Sequence, residues 1–206
     1  MTHPPLERLR SYIDARTDIT TRLLIEAHLS LCPSCAATVA AKQMDGTLPD
    51  ATFHDEFALP PFERVWMAAK QATVSQRRAA ALPPRLLAAL PDSSAWRWVV
   101  LWPEHVRLAL LIRDAETDSE LYLCHFAAKS TFPRHRHVGL EENVILAGGY
   151  QTGGVRVDAG DWVIGAPGSE EIARAGNEEC WCLSRVEPPG VRFTGWRRLV
   201  APLFSR

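Results

Sequence analysis

The sequence predicts two unequal domains, an all-α amino-terminal one followed by an all-β carboxy-terminal one. Three observations carry this. Apolar residues recur at helical spacing from Pro5 to about Lys70, the character changes after about residue 84 to short apolar runs broken by Asp, Gly and Pro, and a polar, alanine- and proline-containing stretch lies between. A chain of 206 residues accommodates two modest cores.

In the front part, Leu6, Leu9, Tyr12 and Ile13, then Leu23, Leu24, Ala27 and Leu31, follow three- and four-residue spacing. Asp18 reads as the cap of the second helix, and Gly46 with Pro49 marks the end of the third. A fourth short helix is expected at 62–72. Residues 76–84, ending in Pro83-Pro84, read as a linker between a domain of residues 1–75 and one of residues 85–206. In the second domain, strands are expected at 96–102, 106–112, 120–126, 143–146, 154–157 and 181–186, a pattern of a β-sandwich or barrel.

Composition narrows the function. The net charge of −1, with nine Lys or Arg against nine Asp or Glu in residues 1–80, offers no basic field, which excludes direct nucleic-acid binding through clustered phosphate contacts. With 47% hydrophobic and 23% charged residues, and no long apolar run, the expectation is a cytoplasmic protein with no membrane partner. Five cysteines are an odd and sparse set, which favours metal or redox roles over a disulfide framework.

The first chemical constellation is His28-Leu-Ser-Leu-Cys32-Pro-Ser-Cys35. Pro33 cannot continue a helix but suits the first turn of a new one, so the second helix should end near Leu31 and the third begin at Pro33. Both sulfurs then lie at a helix amino terminus, where the dipole favours the thiolate that binds metal. One imidazole and two thiols at a corner suit tetrahedral zinc, and a second imidazole would leave a neutral site. His3 and His54 are the choices in the helical half; His3, which a helical hairpin can carry back beside the second helix, is preferred. A thioredoxin-like pair is the competing reading, but it normally follows a strand.

These residues resemble the zinc-binding anti-sigma family, whose pattern is an amino-terminal histidine followed by His-x₃-Cys-x₂-Cys, here His3, His28, Cys32 and Cys35. The resemblance covers about the first 75 residues. It implies a helical domain that wraps between the polymerase-binding domains of an extracytoplasmic-function sigma factor.

The second constellation is His135-Arg-His137-Val-Gly-Leu-Glu141, with the two histidines projecting from one face of a strand and Glu141 returning after a short turn. This stretch resembles the first motif of the cupins, and Gly160-Asp161-Trp162 through Ser169 resembles the second, which implies a jelly-roll barrel over about residues 85–190. Where that second motif usually ends in histidine, this sequence has Glu171. If Glu171 coordinates in its place, two imidazoles and two carboxylates tilt the second site from zinc toward manganese or iron. His125, in an expected strand, is a further candidate ligand. Cys180 and Cys182, two apart on a strand, share a face but cannot readily bond each other, whereas Cys124 on another strand could face one of them.

The order of the two resemblances along the chain is that of ChrR-type anti-sigma factors. What this implies is a regulator, not an enzyme, whose helical domain sequesters the sigma factor and whose cupin releases it in response to singlet oxygen or a peroxide. The alternative is a cupin metal-dependent dioxygenase, since two histidines and a carboxylate leave positions for substrate and oxygen. The apolar candidates for a docking or interdomain surface are Phe57, Phe62, Val65 and Trp66.

Overall fold

The computed structural model describes residues 1–44, 96–101 and 105–194. Three helices, α1 (Leu6–Ile13), α2 (Ile19–Leu31) and α3 (Pro33–Met44), precede eleven strands: β1 (Trp98–Leu101), β2 (Val106–Arg113), β3 (Glu120–Phe126), β4 (Thr131–His137), β5 (Glu141–Ala147), β6 (Gly149–Thr152), β7 (Val155–Asp158), β8 (Trp162–Gly165), β9 (Glu170–Ala175), β10 (Cys180–Val186) and β11 (Val191–Phe193). The expected helix at 62–72, the linker at 76–84, the end signal at Gly46, and the residues His54, Phe57, Phe62, Val65 and Trp66 lie outside the described residues. No single helix among the described residues is long and apolar enough to cross a membrane.

Each helix boundary has a local cause. The Asp18 carboxylate accepts the Thr21 N–H at 2.9 Å and caps α2. Cys32 is extended, at φ −117° and ψ 95°, as a residue before proline must be, and α3 restarts at Pro33 with the two helices bent by 116°. The apolar stripe of α1 is narrower than its spacing implies: Leu9 and Tyr12 are buried, but Leu6, the first helical residue, is 57% exposed.

The strands form two sheets with the orders β1-β2-β3-β10-β5-β8 and β11-β4-β9-β6-β7, all recorded pairings being antiparallel. The two sheets face each other across an interior that includes Val106, Leu108, Phe126, Ile145, Tyr150, Cys124, Cys180 and Cys182. The opposite face of the six-stranded sheet is also buried. There Leu111, Leu121, Leu123, Val144, Leu146, Trp181 and Leu183 join Leu9, Tyr12, Leu23, Leu24, Ile25, Ala27 and Val39 of the helices in one core. The helical region thus completes its core on the back of the barrel.

A charged contact sits inside that joint. Arg185 alternates outward from β10, where a strand arginine would ordinarily meet water, yet it is 2% exposed. Its guanidinium donates to Asp18 at 3.2 Å, Glu142 at 3.3 Å, Glu187 at 2.8 Å and the Thr20 hydroxyl at 3.1 Å. Arg8 of α1 pairs with Glu142 through two bonds of 3.1 and 2.9 Å.

Candidate metal centres

The junction of α2 and α3 turns Cys32 and Cys35 toward the segment before α1. The ligand atoms of His3, His28, Cys32 and Cys35 all lie within 4.8 Å of one another. His3 Nδ1 is 3.5 Å from Cys32 Sγ and 3.3 Å from Cys35 Sγ. Tetrahedral zinc with bonds of about 2.0–2.3 Å spaces its ligand atoms about 3.3–3.8 Å apart, so these separations fit the ion.

The electrostatics fit as well. His28 is completely buried, and neither of its ring nitrogens has a hydrogen-bond partner, a burial that ordinarily costs about 1–3 kcal/mol per unsatisfied group. A metal bond would satisfy one of them. Burial, aided by the neighbouring His3, lowers the His28 pKa to about 4, which keeps the ring neutral and its lone pair available at neutral pH. Burial opposes ionisation of Cys32, but hydrogen bonds from Ser34 and Cys35 outweigh it and bring that thiol below its usual value. Burial and the adjacent Cys32 push Cys35 up to about 11, so Cys32 ionises more readily than Cys35, and metal binding would draw the protons off both.

The second cluster is built on β4, whose alternation buries His135 and His137 and exposes Arg134 and Arg136. Glu171 stands opposite His135 in the β4–β9 ladder. Ligand atoms of His135, His137 and Glu171 lie within 4.8 Å of one another. Glu141 approaches His137 Nε2 at 3.4 Å, as Glu171 does at 3.5 Å, and Glu141 also accepts bonds from Asn143 and Ser184 at 3.0 and 3.1 Å.

The tautomers of the two histidines follow from their outer partners. His135 Nδ1 can only donate to the Pro133 carbonyl, 2.9 Å away. The Ser169 hydroxyl donates to the Ala166 carbonyl at 2.6 Å, so His137 Nδ1–H donates to Ser169 Oγ at 2.9 Å. Both Nε2 lone pairs therefore converge, 3.3 Å apart, between two carboxylates. Only a proton or a cation reconciles them. Burial disfavours charge on His137, yet Glu141 and then Glu171 outweigh it and raise its pKa, while burial and Glu141 together raise that of Glu171. This donor set suits a divalent cation.

Gly165 is the residue that leaves room for His137, because a Cβ there would collide with the imidazole Nε2. Gly165→Ala is expected to push the ring out of the cluster and abolish metal held by the barrel while sparing the helical site; metal analysis of the full-length variant checks this.

His125 is not part of the cluster. Strand alternation turns it away from Cys124 and Phe126, which face the interior, and it lies between Arg107 Nε at 3.1 Å and Glu179 at 2.9 Å, its ring tilted by 39° against that of Trp181. Cys182 and Cys124 are opposite each other in the β3–β10 register, and all five cysteines are free thiols. A cavity of about 450 Å³ reaches His135, Glu141 and Glu171 and is walled by apolar side chains including Leu108, Phe126 and Phe132. Spacing alone did not reveal Ser169, Gly165 or Asn143 as members of the site: Ser169 and Gly165 act on His137 of β4 from distant parts of the chain, and Asn143 acts through its strand neighbour Glu141.

The family described as "ChrR Cupin-like domain" matches residues 88–188. A chain of the crystal structure of Rhodobacter sphaeroides SigE in complex with the anti-sigma ChrR is 25% identical, with a TM-score of 0.63, over 90% of this chain and 98% of that one. Acetylacetone dioxygenase from Acinetobacter johnsonii is 18% identical over 48% of this chain and 73% of its own, TM-score 0.43. The polyketide cyclase RemF from Streptomyces resistomycificus is 17% identical over 51% and 84%, TM-score 0.44. No curated protein sequence matches. The barrel that follows the helices, with its paired histidines and Glu171, is thus similar to the ChrR cupin-like family over residues 88–188.

Proposed function

We propose that this chain is an anti-sigma factor, whose helical region holds zinc through His3, His28, Cys32 and Cys35 and sequesters an extracytoplasmic-function sigma factor in the cytoplasm. The observation that carries the reading is the joint occurrence of that four-ligand cluster and a ChrR-like barrel on one chain. The likeness over 90% of the chain to a component of the SigE–ChrR complex supports it. In this reading the barrel holds a second divalent ion, zinc, manganese or iron, through His135, His137, Glu171 and Glu141. It converts an encounter with an oxidant, singlet oxygen or a peroxide, into release of the sigma factor.

The test is transcription from a promoter dependent on such a sigma factor, reconstituted with core polymerase. Adding one equivalent of the zinc-loaded chain is expected to suppress the transcript at least tenfold and to yield a 1:1 complex on gel filtration, the interface burying upwards of about 1,200 Å². Unchanged transcription by every such sigma factor from the source genome would sink the proposal.

The cavity beside His135 and Glu171 favours one other reading, a metal-dependent dioxygenase. The two separate on whether the iron-loaded barrel consumes oxygen with a substrate at a rate indifferent to Cys35→Ala, as the enzyme would and the regulator would not.

A further inference from the structure

His3 is the one member of the first cluster that the α2–α3 corner does not supply. It precedes α1 in an irregular segment, followed by Pro4 and Pro5, whose rings fix φ and hold His3 itself in the extended region. With the chain stiff on that side, the place of the imidazole depends on what holds Thr2.

Thr2 is held by the barrel. Its N–H donates to Asp161 Oδ1 at 2.5 Å, its hydroxyl donates to the Trp162 carbonyl at 2.7 Å, and its carbonyl accepts the Trp162 N–H at 3.2 Å. Asp161 is 8% exposed, and its other oxygen accepts the Asp158 N–H at 2.8 Å, which ties the carboxylate to the β7–β8 turn and leaves it no freedom to follow Thr2 elsewhere. The Trp162 indole packs edge-on against His28, with ring centroids 5.9 Å apart. The same turn therefore touches one member of the cluster, His28, and holds the neighbour of a second, His3.

We infer that Asp161 is a positioning residue of the zinc site: by anchoring Thr2 it sets His3 Nδ1 over the two sulfurs, so the fourth ligand position is filled only while the barrel is docked. The inference rests on the reading of His3, His28, Cys32 and Cys35 as zinc ligands. It adds that metal retention in the helical region depends on a residue of the barrel more than 120 positions away in sequence from the nearest of them. Outer groups that orient a ligand are worth about 10- to 100-fold in metal affinity.

The test uses the full chain as wild type, His3→Ala, Asp161→Ala and the double variant, each titrated with zinc against a chromogenic chelator and with cobalt to read the d–d bands of the tetrahedral site. Asp161→Ala is expected to weaken zinc about 10- to 100-fold. It should also reproduce the cobalt spectrum of His3→Ala while leaving the thiolate charge-transfer band in place. The double variant is expected to match His3→Ala alone, because a residue that acts through His3 has nothing left to act on. Asp161→Asn, which keeps one acceptor oxygen and the shape of the turn, is expected to fall between the wild type and Asp161→Ala, and it carries the test if the alanine variant loses the near-ultraviolet signature of the barrel. An unchanged affinity, or a loss in the double variant equal to the sum of the two single losses, overturns the assignment. A wild type that binds no zinc in the titration overturns the ligand reading itself, and the positioning role with it.

Discussion

Replacing Cys35 by alanine is expected to remove zinc from the helical region and to cost it most of its stability. A structural zinc ion contributes on the order of 10 kcal/mol of apparent binding free energy to the domain it organises. The three helices are short, at 8, 13 and 12 residues, near or below the length at which isolated helices persist in water. Without the ion, His28 is left fully buried with two unsatisfied nitrogens and the α2–α3 bend loses its tie. Metal analysis should fall by one zinc per chain, and amide hydrogens of α2 and α3 should exchange at least a hundredfold faster. The barrel should keep its own protection. Native helicity and exchange rates in a zinc-free Cys35→Ala protein would show that packing on the barrel suffices and that the ion is dispensable.

The second large effect is expected at Arg185. Truncation to alanine leaves Glu142, 1% exposed, and the half-buried Asp18 with one countercharge fewer, and breaking a buried ion pair from one side costs about 3–5 kcal/mol. Arg8 still reaches Glu142, so the loss should fall mainly on the α2 end of the joint. Urea denaturation should register the loss, and hydrogen exchange should show it concentrated in α2. Leucine at the same position, paired with Asp18→Asn, should recover part of the stability, because the cost lies in the stranded charge and not in the absence of an ion pair.

The same network predicts how the joint responds to acid. Burial alone would raise the Asp18 pKa, but bonds from Thr20 and Thr21 and the charge of Arg185 outweigh it and depress the value well below the usual carboxylate range. A depressed folded-state pKa means that the carboxylate contributes stability above its unfolded pKa, about 3.9, and that this contribution fades as pH falls below it toward the folded value. Acid unfolding of the helical region should therefore move toward neutral pH in Asp18→Asn. A midpoint identical to the wild type would show that other carboxylates govern the transition.

Local chemistry made a good part of this architecture legible. Asp18 as a cap, the break between Leu31 and Pro33, and the His28, Cys32 and Cys35 corner depend on neighbours a few residues away, and the structure has each of them where spacing and proline geometry put it. The strands visible as apolar runs are mainly those of the six-stranded sheet. β3, β5 and β10 are buried on one face by the barrel interior and on the other by the helices, so both faces of each strand select apolar side chains. β6, β8, β9 and β11 show no long apolar run: β6, β8 and β11 are three or four residues long, and β9 carries charged residues on its exposed face.

What sequence determined by itself was thus the order of the two regions, the residue types able to bind metal and the glutamate standing where a third imidazole is expected. Only the tertiary structure decided that Glu171 meets His135 across a ladder, that His125 faces away, that Arg185 is buried against Asp18, and that Asp161 holds the strand of chain bearing His3. The physical reason is range. Caps, turns and ligand spacings are short-range and survive in one dimension, whereas a cluster built from β4, β5 and β9, or a clamp joining residues 2 and 161, exists only after the sheets have paired and the helices have docked.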